Sequence, residues 1–85
     1  MSFLIKRLER QIGKLEDRIR KSEDRIRELR EKYEAKKITK AEFNIKKRKY
    51  EELIHGLNAR IRILKGGIAR EKRKEEEKRK KKEEK

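Results

Sequence analysis

Two apolar heptad repeats separated by a helix-start signal constrain this chain more than any other feature. In the segment ITKAEF, the Thr39 hydroxyl can accept a hydrogen bond from the Glu42 N–H while the Glu42 carboxylate bonds the Thr39 N–H. Ile38 can pack on Phe43 across this capping box. A new helix is therefore predicted to begin at about residue 40, midway along a sequence without proline.

The apolar residues on both sides of this signal alternate at spacings of three and four, which is typical of a coiled coil. The first repeat comprises Ile5, Leu8, Ile12, Leu15, Ile19, Ile26, Leu29 and Tyr33, with Ser22 in its one gap. The second comprises Phe43, Tyr50, Ile54, Leu57, Ile61, Leu64 and Ile68, with Lys47 in its gap. The two-residue alternation of strands is absent, so the sequence predicts an all-α fold.

A reversal at residues 37–39 brings the two repeats together. Folding the chain symmetrically about Ile38 sets Tyr33 against Phe43 near the turn and Leu8 against Ile68 at the far end. We therefore predict an antiparallel coiled-coil helical hairpin over residues 1–69. Its boundaries are helix one at about 3–36, the turn at 37–39 and helix two at about 40–65.

The alternative is a continuous helix in a parallel dimer, because Ile at one seam position and Leu at the other favour two parallel strands. The phase of the repeats argues against it, since the first heptad would continue into the seam at Lys36 and Lys40. Beyond the hairpin, Gly66-Gly67 predicts a helix end or kink. The Lys/Glu-rich tail at 70–85 is then expected to be a frayed helix or disordered.

The charges are sorted by helix face. A formal net charge of +14 on 85 residues favours a polyanionic partner. The register places one set of cations along a single edge of the hairpin, here called the basic edge: Arg7, Lys14, Arg18, Lys21, Arg25, Lys32, Lys46, Lys49 and Arg60. The opposite, acidic edge carries Glu9, Glu16, Glu23 and Glu51. Because like charges across a seam repel, the basic edge is the pattern expected where nucleic acid phosphates neutralise it.

A second row of small and apolar residues marks helix two at spacings of three and four. This outer stripe consists of Leu53, Gly56, Ala59 and Ile63. Small residues let another helix approach closely, and a two-helix unit alone is marginally stable. The outer stripe therefore predicts a homodimer of hairpins, with exposed residues on a loosened helix as the alternative.

The segment from Leu29 to Ile54 resembles the short helical-hairpin domain known as SHOCT. Ile38, Thr39, Glu42, Phe43 and Leu53 match that motif, and Lys37 stands where the family has a glycine. The resemblance covers about a third of the chain and implies a hairpin used for oligomerisation or interaction. By composition alone the chain also resembles small basic archaeal-type nucleoid proteins.

The residue inventory argues against catalysis. The chain has no cysteine and one histidine, His55, so neither a nucleophile with its base nor a metal site is indicated, and no cofactor or small-molecule substrate is expected. No stretch is apolar enough for a secretory signal or a membrane span. We expect a cytoplasmic, nucleoid-associated, non-enzymatic protein, with a thermophile-like abundance of Lys and Glu.

These features predict non-sequence-specific nucleic acid binding of a chromatin or architectural type. We favour DNA over RNA as the partner. The sequence has neither an aromatic stacking platform nor a base-reading helix, so it does not itself distinguish the two. The alternative is a coiled-coil adaptor for protein interaction or oligomerisation.

Overall fold

The chain folds into a hairpin of two helices. The computed structural model describes residues 2–83 and contains α1 (Phe3–Glu34) and α2 (Lys40–Glu83). The described part forms a rod of 72 × 16 × 13 Å without strands. This confirms the all-α helical hairpin. Within residues 2–83, neither helix contains a stretch long and apolar enough to cross a bilayer.

The seam between the helices follows the two heptad repeats. All residues of both repeats, including Ser22 and Lys47 in the gaps, are buried or half-buried. Ile12, Leu15, Leu57 and Ile61 form the core cluster, which Ile19, Leu64 and Ile68 extend. Next to the turn, the rings of Tyr33 and Phe43 stack with centroids 5.1 Å apart. The register symmetric about Ile38 is therefore the register of the structure.

A hydroxyl side chain caps the N-terminus of each helix. The Ser2 hydroxyl accepts a hydrogen bond from the Leu4 N–H at 3.2 Å. The Thr39 hydroxyl accepts one from the Glu42 N–H at 3.1 Å, as the capping box predicts. Among the hydrogen bonds of the described residues, the return bond from the Thr39 N–H to the Glu42 carboxylate is not formed. Thr39 thus caps α2 through one half of the box.

The first helix ends two residues before the predicted boundary, because Lys36 adopts a left-handed conformation with φ of 60°. The Lys36 N–H donates to the Tyr33 carbonyl at 3.0 Å, and the Lys37 N–H donates to the Lys32 carbonyl at 2.8 Å. These two bonds form a Schellman motif, in which glycine is the usual residue at the left-handed position. The strained position is Lys36, one residue before the place where the SHOCT motif has its glycine.

Replacing Lys36 by glycine should therefore stabilise the hairpin. Left-handed backbone costs an L-residue roughly 1–2 kcal/mol, and glycine removes most of that cost at the expense of some unfolded-state entropy. We expect a gain of about 1 kcal/mol in the free energy of unfolding, measured by thermal or urea denaturation. Lys37→Gly is the matched control and should be neutral or destabilising; an equal gain at both positions would contradict this description of the turn.

The predicted end of the second helix near residue 65 is wrong, because α2 continues through Gly66 and Gly67 to Glu83. A glycine in a helix interior costs about 1 kcal/mol relative to alanine, but Ile68 packs on the core cluster directly after the pair. Gly67 itself lies against α1, since a Cβ there would sit 3.4 Å from Leu8 Cδ1. Packing against α1 therefore outweighs the low helix propensity.

The tail is helical over residues 70–83, and residues 84–85 lie outside the described part of the chain. Three glutamates at 75–77 are each followed four residues later by Arg79, Lys80 or Lys81. This order of acid before base is the favourable one on a helix, at a few tenths of a kcal/mol per pair. In the antiparallel register α1 begins beside residue 73, so residues 74–83 extend beyond the paired part of the rod.

Candidate nucleic-acid interface

Four cations of the basic edge line one open groove between α1 and α2. Arg25 and Lys32 come from α1, whereas Lys46 and Lys49 come from α2. The groove has a volume of about 680 Å³, and its remaining lining residues are Glu28, Leu29, Tyr50 and Leu53. We call this surface the basic groove. It contains four basic residues and one acidic residue, for a net charge of +3.

Helix periodicity places these side chains together. Arg25 and Lys32 are seven residues apart, so they lie on the same edge of α1 at a separation of about 10.5 Å along the axis. The Thr39 cap fixes where α2 starts, and the seam then sets Lys46 and Lys49 beside them. Leu29 and Tyr50, which belong to the seam, form the floor between the two rows of cations.

The cations of the groove are exposed and largely without acidic partners. Arg25 Nη1 contacts Glu28 Oε2 at 3.1 Å, the one ion pair that involves a predicted binding residue in the described part of the chain. The other two ion pairs of that part, Arg20 with Asp17 and Arg27 with Asp24, lie on the outer face of α1. Three of the four cations of the basic groove therefore form no ion pair with another described residue.

The other predicted binding residues are exposed but lie outside the basic groove: Arg7, Lys14, Arg18, Lys21 and Arg60. Arg18 and Arg60 continue the same edge away from the turn, because they occupy the same heptad positions as Arg25 and Lys46. The structure thus divides the basic edge into a groove near the turn and a more open row of cations beyond it.

The opposite edge has the opposite sign. Glu23 of α1 and Glu51 of α2 line a second, shallower groove of about 470 Å³, together with Ile26, Ile54, His55 and Asn58. With the histidine neutral, this groove carries a net charge of −2. Where these two grooves lie, the two edges of the hairpin therefore carry formal charges of opposite sign.

The aromatic rings near the turn are occupied within the hairpin. Phe43 is buried and stacked on Tyr33, and Lys47 Nζ lies 5.6 Å from the centre of the Phe43 ring. Tyr50 is half-buried in the floor of the basic groove. These rings are seam residues, so the groove presents cationic side chains to solvent and no fully exposed ring.

Sequence reasoning overlooked one member of the groove. Glu28 follows Arg7, Lys14 and Lys21 at the same heptad position, and extending that row by seven residues would have found it. Its carboxylate both engages Arg25 and repels an incoming anion. Over the described residues no group of three or more His, Cys, Asp or Glu side chains is placed to hold a metal ion.

Comparisons with known proteins add no relatives: no family model, curated protein or solved structure matches the chain.

Proposed function

We propose that the protein binds nucleic acid without sequence specificity, through phosphate contacts along its basic edge. The observation that carries this proposal is the basic groove, where cations from both helices face solvent with Glu28 as the one acidic neighbour. Four like charges facing one groove destabilise an isolated hairpin. A row of phosphates would remove that repulsion and release its own counterions, which makes binding favourable at low salt.

Contacts to the backbone rather than to the bases fit this surface best. Lysine and arginine side chains position a protein on phosphates but carry no sequence information there. Single-strand binding by stacking would need exposed aromatic rings, whereas Tyr33 and Phe43 stack on each other in the seam and Tyr50 is half-buried in the floor of the basic groove. We therefore favour a duplex over a single strand.

Among duplexes we favour DNA, with the chain acting as a small architectural, nucleoid-associated protein rather than as an enzyme. The rod is 72 Å long and carries cations along one edge, so it can lie along or across a duplex. Exposed basic residues at 78–81, on the part of α2 that extends past α1, add non-specific attraction. The runner-up is an interaction adaptor, which the exposed residues of the outer stripe favour.

Neutralising Glu28 should strengthen binding. Glu28→Gln removes the one negative charge of the basic groove and frees Arg25, so we expect duplex affinity to rise about three- to tenfold near 0.1 M salt. The measurement is titration of a labelled DNA duplex by fluorescence anisotropy.

Glu23→Gln is the matched control, because Glu23 is an exposed glutamate of the same helix that lines the acidic groove instead. It changes the net charge of the chain equally and should alter affinity less than twofold. If both variants gained equally, binding would follow net charge alone and the assignment to the basic groove would be wrong.

A further inference from the structure

The last turns of α2 carry a cluster of cations that lies apart from the basic edge. Lys72, Arg73 and Arg79 line a shallow depression of about 500 Å³. Lys80 joins them on this face of the helix, because it follows Arg73 by seven residues, or about two turns. We call this surface the terminal patch. With its acidic neighbours it carries a net charge of +2 and comprises Lys72, Arg73, Glu75, Glu76, Arg79 and Lys80.

The cations of the terminal patch face solvent. All four are exposed, and none forms an ion pair with another residue in the described part of the chain. Cations near the end of a helix also stabilise its dipole and pair with glutamates four residues earlier. That local role suits residues 79–80, which follow the glutamates at 75–76. Lys72 and Arg73 precede those glutamates, which is the less favourable order, so helix stability does not account for the whole cluster.

The edge of α2 that carries the terminal patch is acidic closer to the turn. Glu51 lines the acidic groove and occupies the same heptad position as Lys72 and Arg79. This edge therefore changes from acidic to basic between residues 51 and 72. The basic edge follows a different row of α2, which contains Lys46 and Arg60. The terminal patch is thus a separate basic surface and does not continue the basic edge.

The terminal patch and the basic groove point in nearly opposite directions. Counting 100° per residue, the patch lies about 150° around the α2 axis from Lys46 and Lys49. The two surfaces are also about 28 residues apart along α2, or about 42 Å. That distance exceeds the Debye length of about 8 Å at physiological salt, so each attracts anions independently. A duplex has a persistence length of about 500 Å and cannot curve around the rod to contact both.

From this arrangement we infer that the terminal patch is a second phosphate-binding surface, through which one chain bridges two duplex segments. One duplex lies on the basic edge, and the other crosses the end of α2 that is remote from the turn. The inference rests on the proposed function, because the first duplex is the one that the basic edge binds.

The second surface is the weaker of the two. The terminal patch has four cations and two glutamates, whereas the basic edge has nine cations. Fewer phosphate contacts give a lower affinity at any given salt concentration. Chains bound side by side on one duplex present their patches together, and this multivalency raises the effective affinity for a second duplex. Bridging should therefore appear at high occupancy of the first duplex.

A capture assay tests the second surface. A DNA duplex of about 150 base pairs, one persistence length, is fixed to beads and covered with protein, and a labelled duplex of equal length is added. We expect the unaltered chain to capture it at about 0.05 M salt, where phosphate contacts are strong. Changing the four cations of the patch to glutamine should reduce capture at least tenfold. Anisotropy titration of a single short duplex should show less than about a threefold change, since the basic edge is intact.

The matched control removes the same charge from α1. Its four residues are exposed and lie outside both basic surfaces: Arg10, Arg20, Arg27 and Arg30, each changed to glutamine. Both variants lower the formal net charge from +14 by four units, to +10, but the control should keep capture within about twofold. Glu76→Gln removes an acidic neighbour of the patch and should increase capture about threefold. Damage to the helix could not produce that gain.

Three results would overturn the inference: no capture by a chain that binds single duplexes, undiminished capture by the patch variant, or an equal loss in the control. Undiminished capture by the patch variant would indicate that a dimer formed through the outer stripe joins the duplexes instead. If the unaltered chain failed to bind even a single duplex, the proposed function would be rejected and the inference with it.

Discussion

Reversing the four cations of the basic groove should abolish duplex binding. In the variant with Arg25, Lys32, Lys46 and Lys49 changed to glutamate, we expect affinity to fall by about 10³-fold or more near 0.1 M salt. Each lost phosphate contact removes close to one unit from the slope of log K against log salt, which amounts to nearly tenfold in affinity at that salt. Anisotropy titration with a labelled duplex measures both the affinity and the slope.

The control must lose the same charge elsewhere. Lys6, Arg10, Arg62 and Lys65 are exposed and lie away from the basic edge. Their reversal to glutamate lowers the formal net charge from +14 by two units for each of four residues, to +6, as in the groove variant. We expect this control to keep most of its affinity. If it lost as much as the groove variant, binding would depend on net charge and not on the groove.

Truncating the centre of the seam should be the most destabilising conservative change. Leu57 is the most deeply buried apolar residue described, at 3% exposure, and belongs to the core cluster with Leu15 and Ile61. Leucine to alanine in a packed core costs about 2–5 kcal/mol. For a chain of this size we expect Leu57→Ala to lower the melting temperature by about 15 °C or more, followed by circular dichroism at 222 nm.

Phe3→Ala is the control for this truncation, because Phe3 is a larger apolar residue that is 92% exposed and outside both the seam and the outer stripe. It should shift the melting temperature by no more than a few degrees. Equal losses from the two variants would mean that the helices do not pack through the predicted heptads. Both chains should be compared at one protein concentration, since a dimer makes melting concentration-dependent.

The fold was predictable because one physical rule governs nearly all of it. In a thin two-helix rod, burial depends on heptad position, so the pattern of Ile and Leu identifies the seam. The Thr39 cap locates the reversal, and both together set the register that stacks Tyr33 on Phe43. The heptad pattern and the cap together therefore predict nearly all of the contacts between the two helices.

The predicted ends of both helices were wrong, at residue 36 for α1 and near residue 65 for α2. Both boundaries depend on local backbone conformation, which the heptad pattern does not determine. The left-handed turn residue is Lys36, although propensity would place a glycine there. Gly66-Gly67 signals a helix end, but the packing of Ile68 and the contact with Leu8 keep α2 helical. Propensity is a weak predictor where a neighbouring helix supplies the decisive contacts.

The sequence predicts which cations share the basic edge, but it does not predict that four of them line a groove between the two helices. Heptad positions identify the cations that share a face, whereas the depth of the surface depends on how far the helices stand apart at Leu29 and Tyr50. That separation follows from side-chain packing and has no signature in the spacing. Glu28 shares the heptad position of Arg7, Lys14 and Lys21, so its place beside this edge was predictable, whereas its ion pair with Arg25 is seen only in the structure.

The central claim is that phosphates bind the basic edge without regard to sequence, and the salt dependence of duplex affinity tests it most directly. For two DNA duplexes of unrelated sequence, log K should fall linearly with log salt. Both slopes should be about −4 or steeper, as expected if the four groove cations contact phosphates, and the affinities should agree within about threefold. A flat salt dependence, or a large preference for one sequence, would contradict the account.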